Sequence, residues 1–414
     1  MTDGYVRKST EGRAEEASGG LLPLAGIRVV DFSWLMPGPW ASQTLGDLGA
    51  DVIKIERKGT PDPSRFNAPH YREGTVYFHS VNRNKRSIAL DLNDGEDARI
   101  ARELIARADV LIESFRPNVT TRLKVDYGTV SALNPRIIYC SVTGFGSTGE
   151  LAATPGHDAS LQGLAGILDG GESQDIPLMP RVQTADWAAA SFAVIGILGA
   201  LHRRQITNLG MHIEASIYDS VLSWSNNKLS SALARVAGQS GMPALESFGT
   251  NPRYSTYRTR DGKAVTLSVL EAKSWAHLCE IMGRLDLIDN NETAADRHMT
   301  HPTLGAQYRA ALEAFFGAHA RDELVAWMTK EGIAVAPVLN PDEAVSYAMK
   351  RGAIDFIDHP REGPVPYFVD PLARSGLSNP GRRPAPAFDQ HGDEIRAELT
   401  EGAGVWGHTG RGAQ

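Results

Sequence analysis

From "LAGIRVVDFS" onward, short β-type runs alternate with helical patterns, and this alternation limits the fold more than any other feature of the chain. "IRVVDF" and "ADVIKIE" read as strands, with "PWASQTLGDLG" between them as a helix closed by Gly49. Next come "RSIALDL", the helix "DGEDARIARELIARA", "DVLIESF" and "RIIYCSVTGFG". A long apolar helix, "TADWAAASFAVIGILGALHRR", then leads into "GMHIEASIYDSVLSW", a strand running into a helix. Parallel neighbours need a crossover between them, usually a helix. Units of this length therefore predict an α/β fold with a mostly parallel sheet covered by helices.

The pattern changes after about Ser225. "NNKLSSALARVAGQSGMPALESFGTNPR" is polar and Gly-rich. A smaller unit follows, with strands "YSTYRT" and "KAVTLSVL" around an "RDG" turn, helices in Glu271–Leu287 and Leu304–Lys330, then "GIAVAPVLN" and a helix "PDEAVSYAMKRG". The stretch "REGPVPYFVDPLARSGLSNPGRRPAPAFDQHG" is Pro-rich and ends in a short helix; so long a connector is expected to follow a surface rather than form a domain.

Composition narrows the function. The 414 residues carry a net charge of −7, which disfavours nucleic-acid binding and offers no basic tail to a membrane. The two cysteines, Cys140 and Cys279, lack metal-site spacing and are too few for a disulfide framework, as expected of a reducing, cytoplasmic setting. Residues 1–21 are polar without an apolar core region and read as a disordered leader. The long apolar helix has an uncharged run of about 15 residues with two glycines, short for a membrane span and suited to close packing. No P-loop, GxSxG, GxGxxG or metal motif stands out, and the "DGGES" turn lacks the strand–turn–helix setting of a phosphate loop.

Candidate chemistry must then come from acids, histidines and cations at strand ends, where open α/β sheets bind ligands. Asp186 has two readings. With Thr184 as N-cap it is a helix-start carboxylate that complements the helix dipole, as Arg203 and Arg204 do at the other end. It is also placed to do chemistry. His157 and Asp158 lie in a Gly/Pro-rich loop entering a helix, with Asp158 the expected N-cap. "NRNKR" puts cations before a strand, and "IERKG" puts Arg57 and Lys58 at a strand's end, where an anionic ligand can be held.

"LAGIRVVDFSWLMPGPWASQTLGDLGADVIKIER", "NRNKRSIALDL", "VLIESFRP", "NPRIIYCSVTGFGSTG", "PGHD" and "GILGALHRR", in this order from about Leu22 to Glu398, resemble the family III CoA-transferases. The resemblance implies a Rossmann-like large domain built from both chain ends, a smaller inserted α+β domain, and two chains interlocked as a homodimer. On that plan residues 22–225 form the first part of the large domain, 226–345 the small domain, and 346–414 the return segment.

It also implies the chemistry. Asp186 matches the aspartate that attacks an acyl-CoA thioester, forming an acyl anhydride and then an aspartyl-CoA thioester, before a carboxylic acid collects the CoA. Its neighbouring amides would stabilise an oxyanion. Arg57, Asn84, Lys85, Arg86, Phe115 and Arg122 match positions that contact CoA; Ser114 replaces an asparagine there, and "ESFGTNPRYS" replaces a glycine-rich loop. CoA and acyl-CoA enter as substrates, with no permanent cofactor and no metal. The same scaffold hosts α-methylacyl-CoA racemases, which pass a proton between a histidine and an aspartate. His157 and Asp186 fill those two positions and Glu271 that of a glutamate supporting the histidine, whereas "ADWAAA" departs from the racemases' glycine-rich run. The transferase is the first reading, with the racemase as the alternative and a non-catalytic CoA-binding homologue as a third.

Overall fold

The computed structural model describes residues 21–168, 179, 181–239, 251–298, 301, 303–402, 404 and 406. The leader apart from Leu21, the "DGGES" turn and residues 246–250 of "ESFGTNPRYS" lie outside them. The chain divides into two compact units: Met1–Ser223 with Ala348–Gln414, and Trp224–Tyr347.

The first unit is built on a six-stranded, wholly parallel sheet of β1 (Arg28–Asp31), β2 (Asp51–Arg57), β3 (Lys85–Leu90), β4 (Val110–Glu113), β5 (Ile138–Thr143) and β6 (Met211–Ser216). Its order, β3-β2-β1-β4-β5-β6, is that of the doubly wound dinucleotide-binding folds. Strand alternation feeds two cores. Val29, Val52, Ile112 and Cys140 pack with the helices Pro37–Asp47 and Thr184–Thr207, while Val30, Ile53, Leu111 and Tyr139 pack with the helices Gly95–Arg107 and Gly392–Glu401. The last of these comes from the return segment, so residues from both chain ends build one core. The Thr184–Thr207 helix buries Ala189, Ala193 and Ile197 completely against the sheet, and its small residues allow the close approach.

The Pro-rich stretch supplies β11 (Gly363–Phe368), which pairs antiparallel with β10 (Ile354–His359) just before it. Pro364 and Pro366 are two apart, so they share one orientation in β11 and both missing N–H groups fall on the side facing away from β10. Segment 379–383 then crosses the end of the Pro37–Asp47 helix and the turn that follows it. Arg382 donates to the carbonyls of Gly46 and Ala50 at 2.9 Å, and the Asn379 amide to that of Asp47 at 2.8 Å.

The second unit carries an antiparallel sheet, β7 (Tyr254–Arg258), β8 (Ala264–Ser268) and β9 (Val335–Pro337), packed by helices around Trp275, Leu278, Leu312, Phe316 and Met328. The helical stretch expected over Leu304–Lys330 holds two helices, Gly305–Gly317 and Arg321–Lys330.

Candidate active site

The carboxyl ends of β1 to β4 open into a cleft of about 330 Å³, the place where the strand order reverses. Phe32 and Trp34 after β1, Arg57 at the end of β2, Asn93 after β3, Phe115 after β4 and Arg122 beyond it line the wall. Arg57, Phe115 and Arg122, separated by up to 65 positions in sequence, thus meet in one cleft. Arg57 and Arg122 are exposed, and the Phe32 and Phe115 rings lie 6.2 Å apart. Cations beside apolar rings suit a ligand with phosphates and a flat aromatic base. Ser114 is not idle: its Oγ accepts the Trp34 amide at 3.0 Å.

Asn84, Lys85 and Arg86, also expected to contact CoA, are placed differently: they are buried, outside the cleft lining, in contacts within the fold. Asn84, in a left-handed conformation at φ 61°, donates to Asp47 at 2.6 Å and accepts the Arg383 amide at 2.7 Å. Lys85 is fully buried and donates to Asp31, Pro39 and Asn82. Arg86 pairs with Asp51, Glu394 and Glu398. All six residues of β3 are buried, so these polar groups are committed within the fold and tie the return segment to it.

Asp186 lies in the first turn of the Thr184–Thr207 helix, half-buried. Gln183, not Thr184, is the N-cap residue. The capping carboxylate comes from elsewhere: Asp158 Oδ1 accepts the amides of Ala185 at 2.8 Å and Asp186 at 3.1 Å. Those two amides are therefore occupied and do not form the expected oxyanion site. Asp158 is the first residue of the Asp158–Leu164 helix, with His157 at its N-cap. Its other oxygen accepts from Gln162 Nε2 at 2.6 Å. Burial, and then the negative charge of Asp158, push the Asp186 carboxyl up to about 7. Burial, then the charges of Asp186 and Asp62, make the Tyr77 hydroxyl harder to ionise. Trp187 packs edge-on against Trp40 at 4.9 Å. His157 is exposed at the turn beside Asp158, and Glu271 is exposed at the N-cap of the Ala272–Met282 helix in the second unit.

Sequence reasoning missed Gln162, Trp40, Tyr77 and Trp34, and it made Asp158 the N-cap of its own helix, where His157 stands, rather than the cap of the Thr184–Thr207 helix. One signal was present: Asp158 and Gln162 are spaced i, i+4, the separation at which such side chains bond on a helix.

The coupling of the two acids gives a pH expectation. If ionised Asp186 is the reactive form, kcat/KM rises with pH through about 7 on the acid side. Asp158→Asn keeps an oxygen for the two amides and removes the charge, so the acid limb should move to lower pH. Gln162 Oε1, buried without a partner, can accept the new amide after a flip. A limb that stays in place would show that Asp158 does not set the proton affinity of Asp186.

Residues 24–392 match the sequence profile of CoA-transferase family III. The chain belongs to that family. As a family III enzyme it is a CoA-transferase. It is 32% identical over 386 residues to the acetyl-CoA:oxalate CoA-transferase of Acetobacter aceti, covering 91% of this chain and 96% of that one. It is 30% identical over 403 residues to the succinyl-CoA:glutarate CoA-transferase of Mus musculus, covering 94% and 89%. In structure it is similar to a CaiB/BaiF family protein from Brucella suis, with a TM-score of 0.78, 31% identity, and coverage of 92% of this chain and all of the other.

Proposed function

We propose that this family III CoA-transferase moves CoA from an acyl-CoA to a free carboxylic acid, with Asp186 as the covalent relay. The observation that carries the reading is Asp186 itself, a half-buried carboxylate whose proton affinity is raised to about 7, at the start of a helix packed on the sheet whose strand ends open into a cleft lined by Arg57, Phe115 and Arg122. A raised affinity makes a carboxylate a better nucleophile while leaving much of it ionised at neutral pH.

The ionised Asp186 oxygen attacks the thioester carbonyl, the C–S bond breaks, and CoA leaves as a thiolate. The thiolate then attacks the aspartyl carbonyl of the anhydride and releases the donor acid as its carboxylate. The acceptor carboxylate attacks the aspartyl-CoA thioester, giving a second anhydride and the thiolate again. Attack of that thiolate on the acceptor's acyl carbonyl gives the new acyl-CoA and restores Asp186. The relatives' names cover oxalate and glutarate acceptors, which supports a small dicarboxylate as the acid.

Incubation with several acyl-CoAs in D2O, with and without succinate, oxalate or glutarate, tests the reading. A new CoA thioester that needs the added acid is the expected product. Deuterium at Cα with no exchange of acid would instead mark a racemase, a reading that the named relatives do not favour.

The Thr184–Thr207 helix supports a second copy of the chain as partner. Its outer side shows Ile195 at 61% exposure, Leu198 at 37% and Ile206 at 79%, spaced to share one face. We expect a homodimer, interlocked as in the family. Sedimentation equilibrium at micromolar concentration should give twice the chain mass; a stable monomer would refute the pairing.

A further inference from the structure

Beneath the cleft lies a charged cluster that the proposed chemistry does not use. Asp31, Lys54, Glu56, Asp62 and Lys85 are each completely buried, and Arg65 pairs with Glu56 at 2.6 Å. Three cations face three carboxylates, so the cluster is neutral as a whole. Isolated buried charges are costly, and replacing such a set with apolar residues is often neutral for stability. Its retention here calls for a role besides stability.

The cluster converges on one loop, Ser33–Met36, between β1 and the Pro37–Asp47 helix. Lys54 Nζ donates to the Ser33 carbonyl at 2.7 Å and pairs with Asp62 at 2.9 Å. Asp62 Oδ1 accepts the Leu35 amide at 3.2 Å and the Ser64 amide at 2.9 Å. Asp31 accepts the Ser33 amide at 2.9 Å and the Ser42 hydroxyl at 2.6 Å. Between these anchors Leu35 sits at φ 64°, a left-handed conformation that a residue with a γ-branched side chain adopts only when its surroundings impose it. Gly38 closes the loop from the other side, since a Cβ there would collide with Ser33. Trp34, at the centre of the loop, lines the cleft.

We propose that the buried Lys54–Asp62 pair is a positioning clamp that holds the Ser33–Met36 loop in its strained form and so sets Trp34 in the cleft wall. The effect on ligand binding rests on the reading of that cleft as the CoA site. Neither residue lines the cleft: Lys54 fixes the carbonyl side of the loop and Asp62 the amide side, one residue to either side of Trp34. With the pair removed, Leu35 can leave the left-handed region and Trp34 moves with it.

The test uses the full chain with Lys54→Met/Asp62→Leu, which strands neither charge of the pair. Hydrogen exchange at the Leu35 amide should become faster. KM for acyl-CoA should rise about tenfold, the scale of a lost buried polar contact, while KM for the carboxylic acid and kcat change less than about twofold. A merely structural pair would lower the folded fraction and leave that split absent. Asp62→Asn keeps the acceptor for Leu35 and Ser64 while removing the charge; it gives the milder form of both changes and serves if the double variant does not fold. Unchanged exchange at Leu35 would overturn the clamp, as would faster exchange with an unaltered KM for acyl-CoA. Absence of CoA binding to the unaltered protein in calorimetry would fall on the reading of the cleft, and exchange at Leu35 would still decide the clamp.

Discussion

Asp186→Ala should reduce CoA transfer by at least about a thousandfold, because no other group at that place can form the anhydride. CoA binding should persist, since the cleft residues at the ends of β1 to β4 are untouched. Unaltered enzyme given acyl-CoA and then hydroxylamine should carry a hydroxamate on the peptide containing Asp186, detected by mass. The same carboxylate should cost stability. Its proton affinity is raised on folding, so its contribution is fully present below pH about 4 and is lost as pH rises through about 7. Asp186→Asn should therefore melt at higher temperature than the parent at pH 8, by roughly 1–2 kcal/mol once solvent screening at a half-buried group is allowed for, and match it near pH 4. Retained transfer in Asp186→Ala would end the relay reading. A full loss of transfer with no hydroxamate in the parent would point to proton transfer instead of covalent catalysis.

The parallel sheet was legible because its strands carry the signal in short, local runs. "RVVD", "DVIKIER" and "IYCSVT" are bounded by turn residues and separated by helices, and each forms the strand that the alternation predicts. The β10–β11 hairpin was not legible, since prolines ordinarily argue against strands and only the partner strand shows that Pro364 and Pro366 need no donor. Asp186 divides the same way. Its residue type and place at a helix start were local, and they left cap and nucleophile open; only the family resemblance favoured the nucleophile. That Asp158, 28 positions earlier, supplies the cap and the charge that raises Asp186 is a tertiary fact. The division of roles within the basic residues was equally hidden. Arg57 and Lys85 both stand at strand ends, but Arg57 ends β2 on the side of the cleft, whereas Lys85 opens β3 at the opposite end of its strand.

That difference makes Lys85 the sharpest case for measurement. A lysine that binds CoA would lose affinity on substitution and leave the fold alone. Lys85 as found here should do the reverse. Its Nζ makes three bonds, at 3.0 Å to Asp31, 2.8 Å to the Pro39 carbonyl and 2.8 Å to Asn82. Burial draws its proton affinity down to about 8, against the pull of Asp31. Burial works the other way on Asp31, and the charges of Lys85 and Lys54 with the hydroxyls of Ser33 and Ser42 overcome it, holding that carboxyl down to about 2. Lys85→Met removes one cation from a neutral cluster and leaves the buried Asp31 carboxylate with Lys54, already paired to Asp62, as its remaining cation. Breaking a buried pair on one side costs about 3–5 kcal/mol, a large share of the whole stability of a folded domain. Denaturant unfolding should show that loss directly. Calorimetry on the folded fraction should give a Kd for CoA within about twofold of the parent, because the lysine is not in the cleft wall. Lys85→Met/Asp31→Leu, which removes both charges, should recover part of the stability. A variant with parental stability and a tenfold weaker Kd would return Lys85 to the ligand and contradict its place in the core.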